Sequence, residues 1–169
     1  LPTGVVAVLG KAGTVHLVRD GAVVPTPALT LVDVCSQSER GLLGIAAAPD
    51  LAITGFVYLY ATRVAPSAPG GCVNRVSRFT MTDDVIDPAS EVVLVDGVSS
   101  VAGNHNGGDL EIGQDGFHYL STLGAARLPS EREHPRLGPA ARGCTPTLAA
   151  GPAALPPEGV QFASWDGPA

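Results

Sequence analysis

The chain has 169 residues, 16 of them acidic and 10 Lys or Arg, for a formal net charge of −6. With one lysine, Lys11, and scattered arginines, it lacks the clustered cations needed to bind nucleic acid or an anionic membrane surface. No apolar run approaches the roughly 18 residues of a membrane helix, and 21 Gly with 15 Pro beside only 15% charged residues is the composition of a turn-rich β protein.

Residues 4–24 read as short strands around an Asp20-Gly21 turn, and residues 25–41 as an irregular segment holding Pro25, Pro27 and Cys35-Ser36-Gln37-Ser38-Glu39-Arg40. Strands are predicted over 42–47 and 56–62, the second placing Phe56, Tyr58 and Tyr60 on one face. A Pro/Gly loop over 65–71 leads to a strand over 73–81. Turn signals at Asp83-Asp84 and Asp87-Pro88 precede a further strand over 91–95. No stretch carries a helical period.

The run Gly103-Asn104-His105-Asn106-Gly107-Gly108-Asp109-Leu110 is a poor recipe for a helix or a packed core. Its glycines allow positive φ and close backbone approach, so the segment reads as a loop that presents an imidazole. A hairpin follows: Leu110 and Ile112 alternate with polar neighbours, Asp115-Gly116 turns the chain, and Phe117, Tyr119 and Ser121 continue outward. Earlier in the chain, Pro49-Asp50 leads to Gly55-Phe56-Val57-Tyr58-Leu59; here Asp115 leads to Gly116-Phe117-His118-Tyr119-Leu120. Residues 13–18 with the Asp20-Gly21 turn form a weaker third copy. A repeated antiparallel four-stranded unit with turn glycines is the sequence signature of a β-propeller.

After residue 123 the character changes. Pro129, Pro135, Pro139, Pro146, Pro152, Pro156, Pro157 and Pro168 stand amid Ala, Gly and Arg, a density at which regular sheet is not expected. Only Val160-Gln161-Phe162-Ala163-Ser164-Trp165 has a strand pattern. The expected division is therefore a β domain over 1–123 and an irregular Pro/Ala/Gly-rich tail over 124–169. Of Cys35, Cys72 and Cys144, none has metal-ligand C-x-x-C spacing. Cys35 and Cys72 sit in loops beside successive strand units, which suits a disulfide in an exported protein; two buried free thiols in a cytosolic one is the other reading. The chain begins at Leu1 without a methionine or a basic-plus-apolar leader, so any signal peptide is expected to have been removed or not included. No Gly-x-Ser-x-Gly elbow supports a hydrolase.

Taken in order, Ser38-Glu39-Arg40-Gly41-Leu42-Leu43-Gly44-Ile45, Pro49-Asp50, Phe56-Val57-Tyr58-Leu59-Tyr60, Asn74-Arg75-Val76-Ser77-Arg78-Phe79, Asp87-Pro88-Ala89-Ser90-Glu91 and Gly103 to Leu110 resemble the glucose/sorbosone dehydrogenases. The likeness covers roughly residues 4–122. It implies a six-bladed β-propeller, pyrroloquinoline quinone with calcium, an aldose or polyol substrate, an electron acceptor, and a secreted or periplasmic setting. It also implies His105 as the general base that takes the proton of the sugar C1 hydroxyl, Asn104 as a sugar contact and Glu39 as a quinone-pocket residue. An imidazole suits that role, since it titrates near neutrality.

Three departures qualify these expectations. The family's histidine-orienting Gly-Asp is replaced by Leu123-Gly124-Ala125, and partners of that kind set the tautomer of a catalytic histidine. The calcium loop is not found, and neither are the later basic residues that neutralise the quinone carboxylates. At about 40–45 residues per blade the chain holds about three blades, so the expectation is a fragment or truncated product that missing blades or a partner chain would complete. The competing readings are a non-catalytic, propeller-derived module that binds carbohydrate or protein, and a structural remnant.

Overall fold

A computed structural model describes residues 4–123 and the strand at 160–165. Three sheets follow one another along the chain. The first contains β1 (Val6–Gly10), β2 (Thr14–Arg19), β3 (Ala22–Val23) and β4 (Leu29–Thr30). β2 lies at its centre, with β1 on one edge and both short strands on the other. The β2–β3 turn takes φ 51° at Asp20 and 77° at Gly21, the paired positive angles of a type I′ hairpin turn.

The second sheet is an antiparallel meander of β5 (Leu42–Ala47), β6 (Phe56–Val64), β7 (Cys72–Thr82) and β8 (Val85–Ser99), paired in chain order. This is the complete blade unit that the repeat predicted. One helical turn, α1 (Leu51–Thr54), lies in the β5–β6 connection. The third sheet pairs β9 (Leu110–Ile112) antiparallel with β10 (His118–Leu123), as the Asp115-Gly116 turn predicted. Its other member, β11 (Val160–Trp165), is the one strand pattern of the tail and runs parallel to β10. The remaining tail positions, 124–159 and 166–169, lie outside the described residues.

β6 decides how the sheets stack. Successive strand side chains point to opposite faces, and here both faces are covered. Val57, Leu59 and Ala61 join Leu42 and Phe79 against Val15, Leu17 and Leu29 of the first sheet and the flanking Val5 and Leu31. Tyr58 and Tyr60 join Ala48 and Val76 against Leu110 and Leu120 of the third. The predicted aromatic stripe is therefore the seam between the second and third sheets. His118 of β10 is 1% exposed, with its ring 4.1 Å from that of Tyr58.

β8 departs from the predicted turn at Asp87-Pro88: the chain reverses at Asp83-Asp84 alone, with φ 49° and 66°, and β8 runs on through the proline. The ladder admits Pro88 because its register breaks between Arg78 and Thr80 of β7, and bulges are where a strand tolerates a missing N–H. Ser90 holds the bulge. Its hydroxyl donates to the Asp87 carbonyl (2.6 Å) and accepts the Thr80 N–H (2.8 Å). A disulfide joins Cys35 to Cys72, which resolves the two cysteine readings in favour of the bridge and ties the segment before the second sheet to the start of β7.

Candidate functional site

Two loops meet at one end of the stacked sheets. The first, residues 38–41, leads into β5; the second, residues 100–109, leads into β9. The first is held by the β1–β2 turn: the Lys11 ammonium donates to the Ser38 carbonyl, and the Lys11 carbonyl accepts the Leu42 N–H at 3.0 Å. The second lies on the first through the Glu39 N–H, which donates to the Gly103 carbonyl at 2.9 Å.

Glycine is required at two places in this approach. A Cβ at Gly44 would stand 2.7 Å from the Gly108 carbonyl oxygen, so β5 must lack a side chain there for the second loop to pass. Gly107 takes φ +74°, and a Cβ on it would fall 2.0 Å from the Ser121 carbonyl oxygen of β10. No L side chain fits either gap without moving backbone.

The three residues that resemblance singled out come together here. Glu39, Asn104 and His105 are all exposed. His105 adopts φ 63°, a left-handed conformation uncommon for residues other than glycine and found at sites where surrounding structure enforces it. One contact that holds it is Glu39, whose Oε2 accepts the His105 main-chain N–H at 2.6 Å. Glu39 thus touches the histidine's backbone, a contact that the sequence reading did not anticipate.

The asparagines flanking His105 differ in burial. Asn104 is exposed, whereas Asn106 is 2% exposed and lies at the centre of a polar network. Asn106 Oδ1 accepts from Ser100 Oγ at 2.6 Å and from Asn74 Nδ2 at 3.2 Å. Thr62 Oγ1 donates to Asn74 Oδ1 at 2.7 Å. The Tyr60 hydroxyl donates to the Asn106 carbonyl at 2.6 Å; burial raises its pKa far above that of an ordinary phenol, so it remains a donor. Arg40 closes the network from the first loop, with Nε to Ser100 Oγ at 3.0 Å and its terminal nitrogen to the carbonyls of Ser100 and Val101. These buried groups partner one another except at Asn106 Nδ2, which has no hydrogen-bond partner among the described residues, and the bonds they make hold the loop against the second sheet.

Sequence reasoning missed Thr62, Ser100, Arg40 and Asn106 as site-supporting residues. One signal was available: Thr62 interrupts the apolar run of β6, and Asn74 alternates with Cys72 and Val76 on one side of β7; polar residues at such positions are buried only with partners. Leu123, at the place expected to bear the orienting Gly-Asp, ends β10; Gly124 and Ala125 lie outside the described residues. Among the described residues, no group of three or more His, Cys, Asp or Glu is placed to hold a metal. No helix among them is long and apolar enough to cross a membrane.

A nearly all-β stack of sheets, antiparallel except for the β10–β11 pair, with a glycine-bounded histidine loop at one end, defines the chain as part of a β-propeller. The sequence profile of Glucose / Sorbosone dehydrogenase matches residues 1–138, and the chain belongs to that family. Among solved structures, it is 32% identical to a protein described as an oxidoreductase (glucose dehydrogenase) from Thermus thermophilus, with TM-score 0.58 over 72% of this chain and 34% of that one. It is 27% identical to the PQQ-bound form of an aldose sugar dehydrogenase from Streptomyces coelicolor, with TM-score 0.61 over 72% of this chain and 35% of that one. The apo-form of the soluble aldose sugar dehydrogenase from Escherichia coli, at 23% identity and TM-score 0.51 over 62% of this chain and 30% of that one, shares the fold. The chain spans about a third of the length of the first two relatives.

Proposed function

We propose that this chain carries the catalytic-base portion of a quinone-dependent aldose dehydrogenase, with His105 as the base. The observation that carries the reading is the exposed His105, at φ 63° with its main-chain N–H bonded to Glu39, on a loop that Gly44 and Gly107 allow to dock. Family membership supplies the reaction class, and the PQQ-bound Streptomyces coelicolor relative supplies the cofactor class.

The exposed donor set fits one edge of such a site. The Asn104 amide and the His105 imidazole suit sugar hydroxyls, and Glu39 would border the quinone. Lys11 and Arg40 hold the two loops through main-chain carbonyls, and neither is assigned to the carboxylates of the quinone. When bound, the quinone supplies two-electron acceptance. The chain's own contribution is to orient the sugar C1 hydroxyl through Asn104 and to take its proton on the His105 ring, a step in which a positioned base contributes about 10²–10⁴-fold. The disulfide is consistent with a secreted or periplasmic setting.

Titration of the chain with pyrroloquinoline quinone in the presence of calcium tests the cofactor assignment. The expected result is saturable binding that Glu39→Ala changes and that Val93→Ala, an exposed position on β8, does not. A folded chain that shows no saturation would support the non-catalytic module instead.

A further inference from the structure

Residues 39 and 40 hold the histidine loop at two separate points, and only one of them belongs to the exposed site. Glu39 takes the His105 N–H directly. Arg40 turns the other way, to Ser100 Oγ at 3.0 Å and to the carbonyls of Ser100 and Val101. Ser100 Oγ in turn donates to Asn106 Oδ1 at 2.6 Å, and Asn106 is the residue after the histidine. The Asn106 carbonyl is fixed independently by Tyr60 and its side chain by Asn74, both from strands of the second sheet.

We infer that Arg40 is a positioning residue for His105, acting through Ser100 and Asn106 without meeting the substrate. The physical case rests on the cost of the His105 conformation. A residue in the left-handed region carries strain of about 1–3 kcal/mol and stays there only when its surroundings over-determine it. Glu39 fixes the N-terminal side of His105 from an exposed position, where a single bond contributes little. Arg40, Ser100 and Asn106 fix its C-terminal side from within, where Ser100 is 3% and Asn106 2% exposed. A guanidinium suits the task because its planar fork reaches a hydroxyl and two carbonyls at once, which a lysine ammonium does not do with the same geometry. The inference depends on the proposed function only for what the held histidine does. The clamp itself is open to direct test.

The test is hydrogen exchange on the ¹⁵N-labelled full chain, read at the His105 amide and at amides of β6 as internal controls. Arg40→Ala and Ser100→Ala are each expected to lower protection of the His105 amide about tenfold or more while the β6 amides keep theirs. Arg40→Lys is expected to recover part of the loss. Ser100→Ala removes only a hydroxyl, so it decides the matter should Arg40→Ala fail to fold. Unchanged His105 protection in Ser100→Ala would overturn the inference, as would a loss shared equally with β6, which would mark a general loosening. Because the readout is exchange, a chain that oxidises no sugar can still confirm or refute the clamp.

Discussion

Gly107→Ala is expected to destabilise the chain by about 2–5 kcal/mol and to dislodge the histidine loop from β10. Two costs combine. An L residue at φ +74° carries about 1–2 kcal/mol of left-handed strain. The new Cβ would also stand 2.0 Å from the Ser121 carbonyl oxygen and 2.8 Å from the Thr122 Cα, and overpacking against backbone typically costs about 1–3 kcal/mol. Relief requires the loop to lift, which breaks the bonds joining Asp109 to Ser121: the Ser121 N–H to the Asp109 carbonyl at 3.1 Å and the Asp109 N–H to Ser121 Oγ at 3.2 Å. Gly116→Ala is the matched control, since Gly116 has φ +81° but nothing within 4 Å of its Cβ. It should show the conformational cost alone, about 1–2 kcal/mol. Urea denaturation of both variants measures the difference, and equal losses would show that the contact with β10 is absent.

Phe79→Ala is expected to cost about 3–5 kcal/mol, the usual range for emptying a fully buried aromatic site. Phe79 is 1% exposed on β7 and belongs to the cluster that joins Val57 and Leu59 of the second sheet to Val15 and Leu17 of the first. Removing it leaves a cavity at the junction of two sheets, where little can collapse to fill the space. Since a domain is stable by only about 5–15 kcal/mol in total, the loss is a large part of the whole. Val93→Ala, at a position 44% exposed, should stay within about 0.5 kcal/mol. A Phe79→Ala midpoint close to that of Val93→Ala would mean that the two sheets do not share this core.

The features legible in the sequence were local ones. Alternation along residues 56–62 placed the aromatic stripe on one face, and the structure shows that face to be the seam with the third sheet. The Asp20-Gly21 and Asp115-Gly116 turns, both hairpins and the Cys35–Cys72 bridge follow from turn chemistry and loop placement. The glycines around His105 announced a displayed loop, but not that the two flanking asparagines part company, one into solvent and one into the core.

Long-range pairing was what escaped. The hydrogen bond from Arg40 to Ser100 spans 60 residues and that from His105 to Glu39 spans 66. No periodicity within either segment encodes such a partner. Polar residues inside strands were the one trace of this network, and without coordinates Thr62 and Asn74 could equally have faced water. Pro88 misled in the opposite direction: proline next to aspartate signals a turn, but a bulge fastened by Ser90 lets β8 continue.

The central claim is that His105 is the base of a sugar dehydrogenase, and the rate of aldose-dependent dye reduction tests it most directly. The assay would use the folded chain supplied with pyrroloquinoline quinone and calcium, comparing wild type with His105→Ala. Measurable turnover in the wild type, lowered at least about 100-fold in His105→Ala with quinone binding retained, is the predicted result. Equal turnover in the two proteins, or none in a wild type that binds the quinone, would contradict it.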